Sequence, residues 1–254
     1  MIPPTEISPS GAGHNDQFTT THWSVVLAAR GTDSSVALQA LERLCQTYWY
    51  PLYAFVRRQG YSAQDAEDLT QGFFERVLEK EYFTDVDQSK GRFRAFLLAA
   101  LKHFLSESRK RERAIKRGGG KPMVCLDAQT AEERYRLEPT DTMTPDRLYD
   151  RRWALTVVEN AVVRLRQEYA AAGKGELYEN LKSQLPGAAE GLSHAEVGCR
   201  LGKSESAIKT EALRLRRRLA DFVRAEIQQT VAGVADIDEE VRYLSEVLLN
   251  VVGL

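Results

Sequence analysis

The sequence predicts an all-α protein built as two small helical bundles joined by a flexible linker, and three observations predict it. Apolar residues recur at helical spacing almost throughout the 254-residue chain, with no strand-like alternation of any length. The stretch 118–143 breaks that pattern with Gly118, Gly119, Gly120, Pro122 and Pro139, and so long an unpatterned run is foreign to the inside of a compact domain. A hydrophobic content of 43% is enough to form buried cores, which excludes wholesale disorder. The expected boundaries are a disordered extension at 1–19, a first bundle at 20–117, the linker at 118–143, a second bundle at 144–230 and an acidic helical tail at 231–254.

The first bundle opens with a short helix over 21–30, capped by Thr21 and burying Trp23, Val26 and Leu27. A longer helical stretch follows with Leu38, Leu41, Leu44, Tyr48, Leu52 and Phe55 on one face. Pro51 should kink or interrupt it, because proline donates no backbone hydrogen bond. Ser62 and Asp65 make a capping-box pattern for the next helix, whose stripe is Ala66, Leu69, Phe73, Val77 and Leu78. After a loop at 81–92, a helix buries Phe93, Phe96, Leu97, Ala100, Phe104 and Leu105, with Lys102, Ser106, Arg109 and Arg113 on its other face. The second bundle begins at Thr144 and Pro145, an N-cap and a first-turn proline, in a helix burying Leu148, Leu155, Val158, Val162 and Leu165. A short helix over 176–185 stops at Pro186 and Gly187.

A formal net charge of −1 hides strong segregation. Ten Lys or Arg residues fall in 90–117 against Glu107 and Glu112, and eight fall in 200–224 against Glu205, Glu211 and Asp221. The balancing acids sit in 65–87 and 236–246. Two separate basic stripes are the footprint a phosphate backbone requires, although either alone would read as a solvated helix face. No run reaches the roughly 18–20 apolar residues that cross a membrane. The start of the chain lacks the pattern of a signal peptide, and Cys45, Cys125 and Cys199 read as reduced thiols of a cytoplasmic protein. His14, His22, His103 and His194 are too scattered for a metal site, so neither metal nor cofactor is expected.

The sharpest local signal is at 192–219. Ser193 with Glu196 forms a capping box, Leu201 and Gly202 end a short helix, and Ser204 caps a second helix with Ile208, Ala212, Leu215, Leu219 and Phe222 buried. Two helices joined by a tight glycine turn predict a helix-turn-helix, whose second helix enters the major groove. Opposite the buried stripe lie Ser206, Thr210, Arg214 and Arg217, with Lys209 and Arg216 flanking. Short polar side chains suit base edges there, and the later arginines suit phosphates.

Three segments, in order, resemble extracytoplasmic-function (ECF) sigma factors of bacterial RNA polymerase. Asp65-Ala66-Glu67-Asp68-Leu69-Thr70-Gln71 is similar to the family helix that docks on the polymerase clamp. Phe93-Arg94-Ala95-Phe96-Leu97 through Arg109-Lys110-Arg111 is similar to the segment that melts and reads the minus-ten element. Ala195-Glu196-Val197 through Ile208-Lys209, then 214–219, resembles the helix-turn-helix that reads the minus-thirty-five element. The resemblance covers about 36–117 and 146–225. It implies polymerase binding by Asp65, Glu67, Asp68 and Gln71. Downstream DNA binding would fall to Phe83, Lys90, Arg92, Arg94, Lys102, Arg109, Lys110 and Arg113, and upstream binding to Ser204, Ser206, Lys209, Thr210, Arg214 and Arg217. The implied partners are core RNA polymerase, promoter DNA and an anti-sigma or other regulatory protein, with no enzymatic activity in the chain itself. Phe96, His103, Glu107, Gly198 and Leu215 depart from the usual residues of that pattern.

A flipped base would be captured by a pocket between the 81–92 loop and the following helix. The competing reading is a stand-alone helix-turn-helix regulator, with the first bundle as sensor or dimerisation domain. Catalysis by Asp65, Glu67 and Asp68 is the weaker account of that cluster, since acids favour a helix N-terminus. In the tail, Ile237, Val241, Leu244 and Leu248 recur at helical spacing among Asp236, Asp238, Glu239, Glu240 and Glu246. That helix is expected either to pack on the second bundle or to cover a basic surface through contacts that salt would screen.

Overall fold

Pro51 is the residue most at odds with a helix, yet α1 (Ser34–Arg58) runs through it. A proline inside a helix costs about 3 kcal/mol. Each fully buried large apolar side chain returns about 1.5–3 kcal/mol. Tyr48, Leu52, Tyr53, Phe55 and Val56 around the proline are all buried, so packing overrides the local penalty. The computed structural model describes residues 34–78, 92–114, 128–138, 143–186, 188, 191–231, 233 and 235–252. The extension at 1–19 and the helix expected at 21–30 lie outside them. Every regular element among the described residues is helical.

The first core gathers α1, α2 (Ala63–Leu78) and α3 (Phe93–Ala114) around Tyr48, Phe55, Phe73, Phe74, Phe93, Leu97 and Leu101. Ser62 caps α2 as its sequence position predicts, its hydroxyl accepting from the Asp65 amide at 3.1 Å and donating to the Asp65 carboxylate at 2.7 Å. Phe74 and Leu101 extend the buried stripes beyond their expected membership, because these helices are covered on more than one side.

The stretch read as a flexible linker is in part a helix, α4 (Ala128–Arg136). Charge holds it in place. Glu132 takes the Arg57 guanidinium at 2.9 Å and the Tyr53 hydroxyl at 2.6 Å. Just beyond the helix, buried Glu138 accepts from the Tyr50 hydroxyl at 2.8 Å and pairs with Arg151 and Arg152. Low apolar content hid α4 from a reading based on hydrophobic periodicity.

Helix α5 (Pro145–Ala171) starts where Thr144 and Pro145 predict, with the Thr144 hydroxyl accepting from the Arg147 amide at 3.3 Å. Its sequence position assigns it wholly to the second bundle, but its buried residues are divided between two cores. Leu148, Tyr149, Trp153, Ala154 and Val157 belong to the first core, while Ala161 and Leu165 belong to a second. Among the described residues, the α1–α5 interface is the most extensive between two helices. Leu155, Val158 and Val162, expected in the core, are only partly buried, because a shared helix does not bury one simple stripe.

The second core adds α6 (Gly175–Leu181), a 3₁₀ turn (Lys182–Gln184), α7 (His194–Leu201) and α8 (Glu205–Gln228). Its buried residues include Tyr178, Leu181, Val197, Ile208, Ala212, Leu215, Leu219 and Phe222. The tail forms α9 (Ala235–Val252), and it does not pack only on the second bundle: Ile237 and Leu244 join the first core.

Candidate nucleic-acid interface

The α7–α8 pair is shaped by two glycines. Gly202 ends α7 in a left-handed conformation (φ 62°), which glycine adopts without a Cβ penalty. Gly198 allows the turn to fold close: a Cβ there would meet the Lys203 carbonyl oxygen at 2.6 Å. The Lys203 amide donates back to the Gly198 carbonyl at 2.9 Å, which closes the turn. Ser193 and Glu196 form both halves of the capping box, and Ser204 accepts from the Ala207 amide at 3.2 Å. The Ser193 hydroxyl and amide hold the Glu196 carboxyl below its ordinary range.

With Ile208, Ala212, Leu215, Leu219 and Phe222 buried, α8 presents Ser206, Lys209, Thr210, Arg214 and Arg217 to solvent. The Thr210 hydroxyl donates to the Ser206 carbonyl at 3.0 Å. Lys209 pairs with Glu205 at 2.7 Å and Arg214 with Glu211 at 2.8 Å, both within the helix. Lys209 holds the Glu205 carboxyl below its usual range. Arg217 has no ion-pair partner among the described residues. Its neighbours are engaged in packing the bundle. Arg216 donates to the Gln184 carbonyl at 2.8 Å, and Arg218 grips Glu168 of α5 at 2.5 Å. Leu213, 48% exposed in the middle of this polar face, is a residue the sequence reading missed. An exposed leucine on an amphipathic helix is the signal that would have found it.

The other basic stripe is divided. Lys102, Ser106 and Arg109 line an open cleft of about 430 Å³ with Phe55, Gln59, Leu105 and Asp146. Lys102 pairs with Asp146, and Arg109 donates to the Tyr61 hydroxyl at 2.6 Å. Lys110 and Arg113 continue along α3, though their side chains lie outside the described ones, as do Phe83 and Lys90. So does the loop side of the expected base pocket, apart from Arg92; its other side, the start of α3, is described.

Arg92 and Arg94 depart from the DNA-facing role expected of them. Both turn to the acids of α9 instead. Arg92 pairs with Glu239 at 2.5 Å and Glu240 at 2.8 Å. The Arg94 side chain, 7% exposed, pairs with Glu240 at 2.5 Å and with Asp150 of α5 at 2.7 Å. Burial pushes the Arg94 guanidinium down, and the two carboxylates more than offset that and raise it. The Tyr243 ring lies 4.1 Å from that guanidinium, and its hydroxyl donates to Asp150 at 2.7 Å. Burial and that bond push Tyr243 up to about 12. Local spacing gave no sign of these partners, because Glu240 lies 146 positions from Arg94.

Asp65 and Asp68 are exposed on α2, Glu67 and Gln71 half-buried, and Gln71 donates to Glu75 at 3.2 Å. This group forms an acidic edge separate from both basic surfaces in sequence and charge. Among the described residues no group of three or more His, Cys, Asp or Glu is placed to hold a metal ion. None of their helices is long and apolar enough to cross a membrane. No family model matches the chain, and no curated protein or solved structure matches it.

Proposed function

We propose that this chain is a promoter-recognition subunit of bacterial RNA polymerase, of the ECF sigma class. The observation that carries the reading is the exposed face of α8, where Ser206, Thr210, Arg214 and Arg217 stand opposite a buried stripe after a tight turn. Short polar groups near the start of such a helix suit base edges, and the arginines a turn or two later suit phosphates. The acidic edge of α2 supplies a protein-docking surface of opposite sign, and the Lys102–Arg109 cleft supplies a second phosphate-binding surface. Linking two DNA-binding surfaces makes the second contact intramolecular once the first is made. The chain would work in the cytoplasm, with core polymerase and promoter DNA as partners and an anti-sigma protein as a regulator.

The test is co-elution with bacterial core polymerase followed by transcription from a promoter library. Wild-type protein should co-elute and support promoter-dependent initiation. Asp65→Lys with Asp68→Lys should lose core binding while keeping its helicity. One observation favours a second reading, a stand-alone regulator: both cores share α5, so the two surfaces need not separate to act. Tight duplex binding without polymerase, and no co-elution, would select that reading.

A further inference from the structure

We propose that α9 is an intramolecular inhibitor, a carboxylate latch that occupies the arginines at the start of α3 and keeps them from the phosphates of single-stranded DNA. The inference rests on the nucleic-acid reading of α3. Glu240 is fully buried, and its two oxygens serve Arg94 and Arg92. Glu239 takes a further Arg92 nitrogen, and Asp150 takes Arg94 from the opposite side. Thr230, just after α8, reaches the same spot, where its carbonyl accepts from the Phe93 amide at 3.0 Å. Arg224 of α8 ties Asp238 at 2.7 Å, so α9 is anchored at its first turn as well.

The chemistry of the contact suits exchange. A guanidinium fork binds carboxylate and phosphate through the same paired geometry, so a DNA backbone and Glu240 compete for one surface. Attachment alone would not require this. Ile237 and Leu244 already bury an apolar face, and a buried ion pair is often no more stabilising than apolar residues of the same volume. The exposed acids Asp236 and Glu246 place negative charge outside the latch, where it repels an approaching strand. Because Glu240 is buried, the contact resists salt, contrary to the screening expected for an exposed acidic tail. The Asp150 and Tyr243 contacts also fix α5, a helix that both cores share, so release would loosen the joint between them.

The experiment uses the full chain and labelled single-stranded oligodeoxythymidine, with anisotropy for binding and hydrogen exchange at the Phe93 amide for the latch. Glu240→Gln should bind at least tenfold more tightly than wild type and exchange the Phe93 amide faster. In a background with Cys45, Cys125 and Cys199 replaced by serine, Asp150→Cys with Tyr243→Cys would be bridged by a reducible bis-thiosulfonate. Bridging should weaken binding, and reduction should restore it. Faster Phe93 exchange in Glu240→Gln without tighter binding would overturn the latch. So would unchanged binding on bridging, an outcome that still decides if Glu240→Gln fails to fold. Polymerase co-elution and duplex binding through α8 are scored separately, so either proposal can fail while the other stands.

Discussion

The start of α3 and the exposed face of α8 look alike as sequence, each a run of basic residues on an amphipathic helix, and the fold treats them in opposite ways. Arg92 and Arg94 are drawn inward by carboxylates from α5 and α9, and the Arg94 side chain keeps only 7% of its exposure. On α8, Lys209 and Arg214 pair, among the described residues, only with acids of their own helix, and Arg217 stays in solvent. Local charge density therefore does not say which cations can receive a phosphate. The distant partner decides, and a charge paired by an acid from another helix is unavailable until that helix moves.

The largest effect should come from removing a buried partner. Glu240→Ala leaves Arg94 with Asp150 alone and Arg92 with Glu239 alone, and breaking a buried pair from one side costs up to about 3–5 kcal/mol. Glu211→Ala removes a pair on α8 whose arginine is exposed and whose carboxylate is half-buried, and should cost about 0–1 kcal/mol. Urea unfolding of both variants measures the contrast directly. Equal losses would mean that the two regions do not differ as the geometry implies.

The parts of the molecule legible in sequence are those fixed by local chemistry. Ser62, Thr144, Ser193 and Ser204 all cap helices where their spacing predicts, and the α8 stripe from Ile208 to Phe222 is buried position by position. The polar face of α8 follows from that stripe by geometry alone. What stayed hidden depends on distant segments. Helix α4 puts only Ala131 and Tyr135 against the core and is tied down by Glu132 and, just beyond it, Glu138, so hydrophobic periodicity passes over it. Trp153 is buried because α5 is shared by two cores, which no window of sequence reveals. Arg94 reads as a DNA contact until its partners from α5 and α9 are in place.

Next in size is the turn that aims α8. Gly198→Ala brings a Cβ to 2.6 Å from a backbone oxygen, so the α7–α8 turn must shift. Overpacking of this kind costs about 1–3 kcal/mol. Thermal unfolding should register that loss, and duplex binding should fall with it while α3 keeps its Phe93 amide protected. Loss of that protection too would show that the two regions are coupled more tightly than separate cores allow.

A smaller effect is expected at α4, whose Arg57–Glu132 pair keeps side-chain exposures of 19% and 18%. The Arg57 hydrogen bond holds the Glu132 carboxyl below its ordinary range. A group lowered by folding adds stability above its unfolded value, and that stability is lost as pH falls through the folded value. Exchange protection in α4 should therefore decline in acid below about pH 4.5, and Glu132→Gln should remove this part of the dependence. A Gln variant with the wild-type acid profile would assign the effect to another carboxylate.

The smallest effects on stability should separate neighbouring arginines of α8. Arg217→Ala removes an exposed charge with no ion-pair partner among the described residues, so unfolding should shift by no more than about 0.5 kcal/mol. Its loss should appear in binding instead. One fewer phosphate neutralised lowers the slope of log affinity against log salt by about 1 on duplex DNA. Arg216→Ala should do the reverse, because Arg216 donates to the Gln184 carbonyl at 2.8 Å and holds the 3₁₀ turn against α8. Losing that charge-assisted bond costs about 1.5–3 kcal/mol where the site is dry and less here, where Arg216 is exposed, and should leave the salt slope unchanged. The pair thus tests orientation one residue at a time: a helix turned by one position would exchange the two signatures. If Arg216→Ala flattened the slope and Arg217→Ala did not, the surface that faces DNA would be the one now packed beside Gln184.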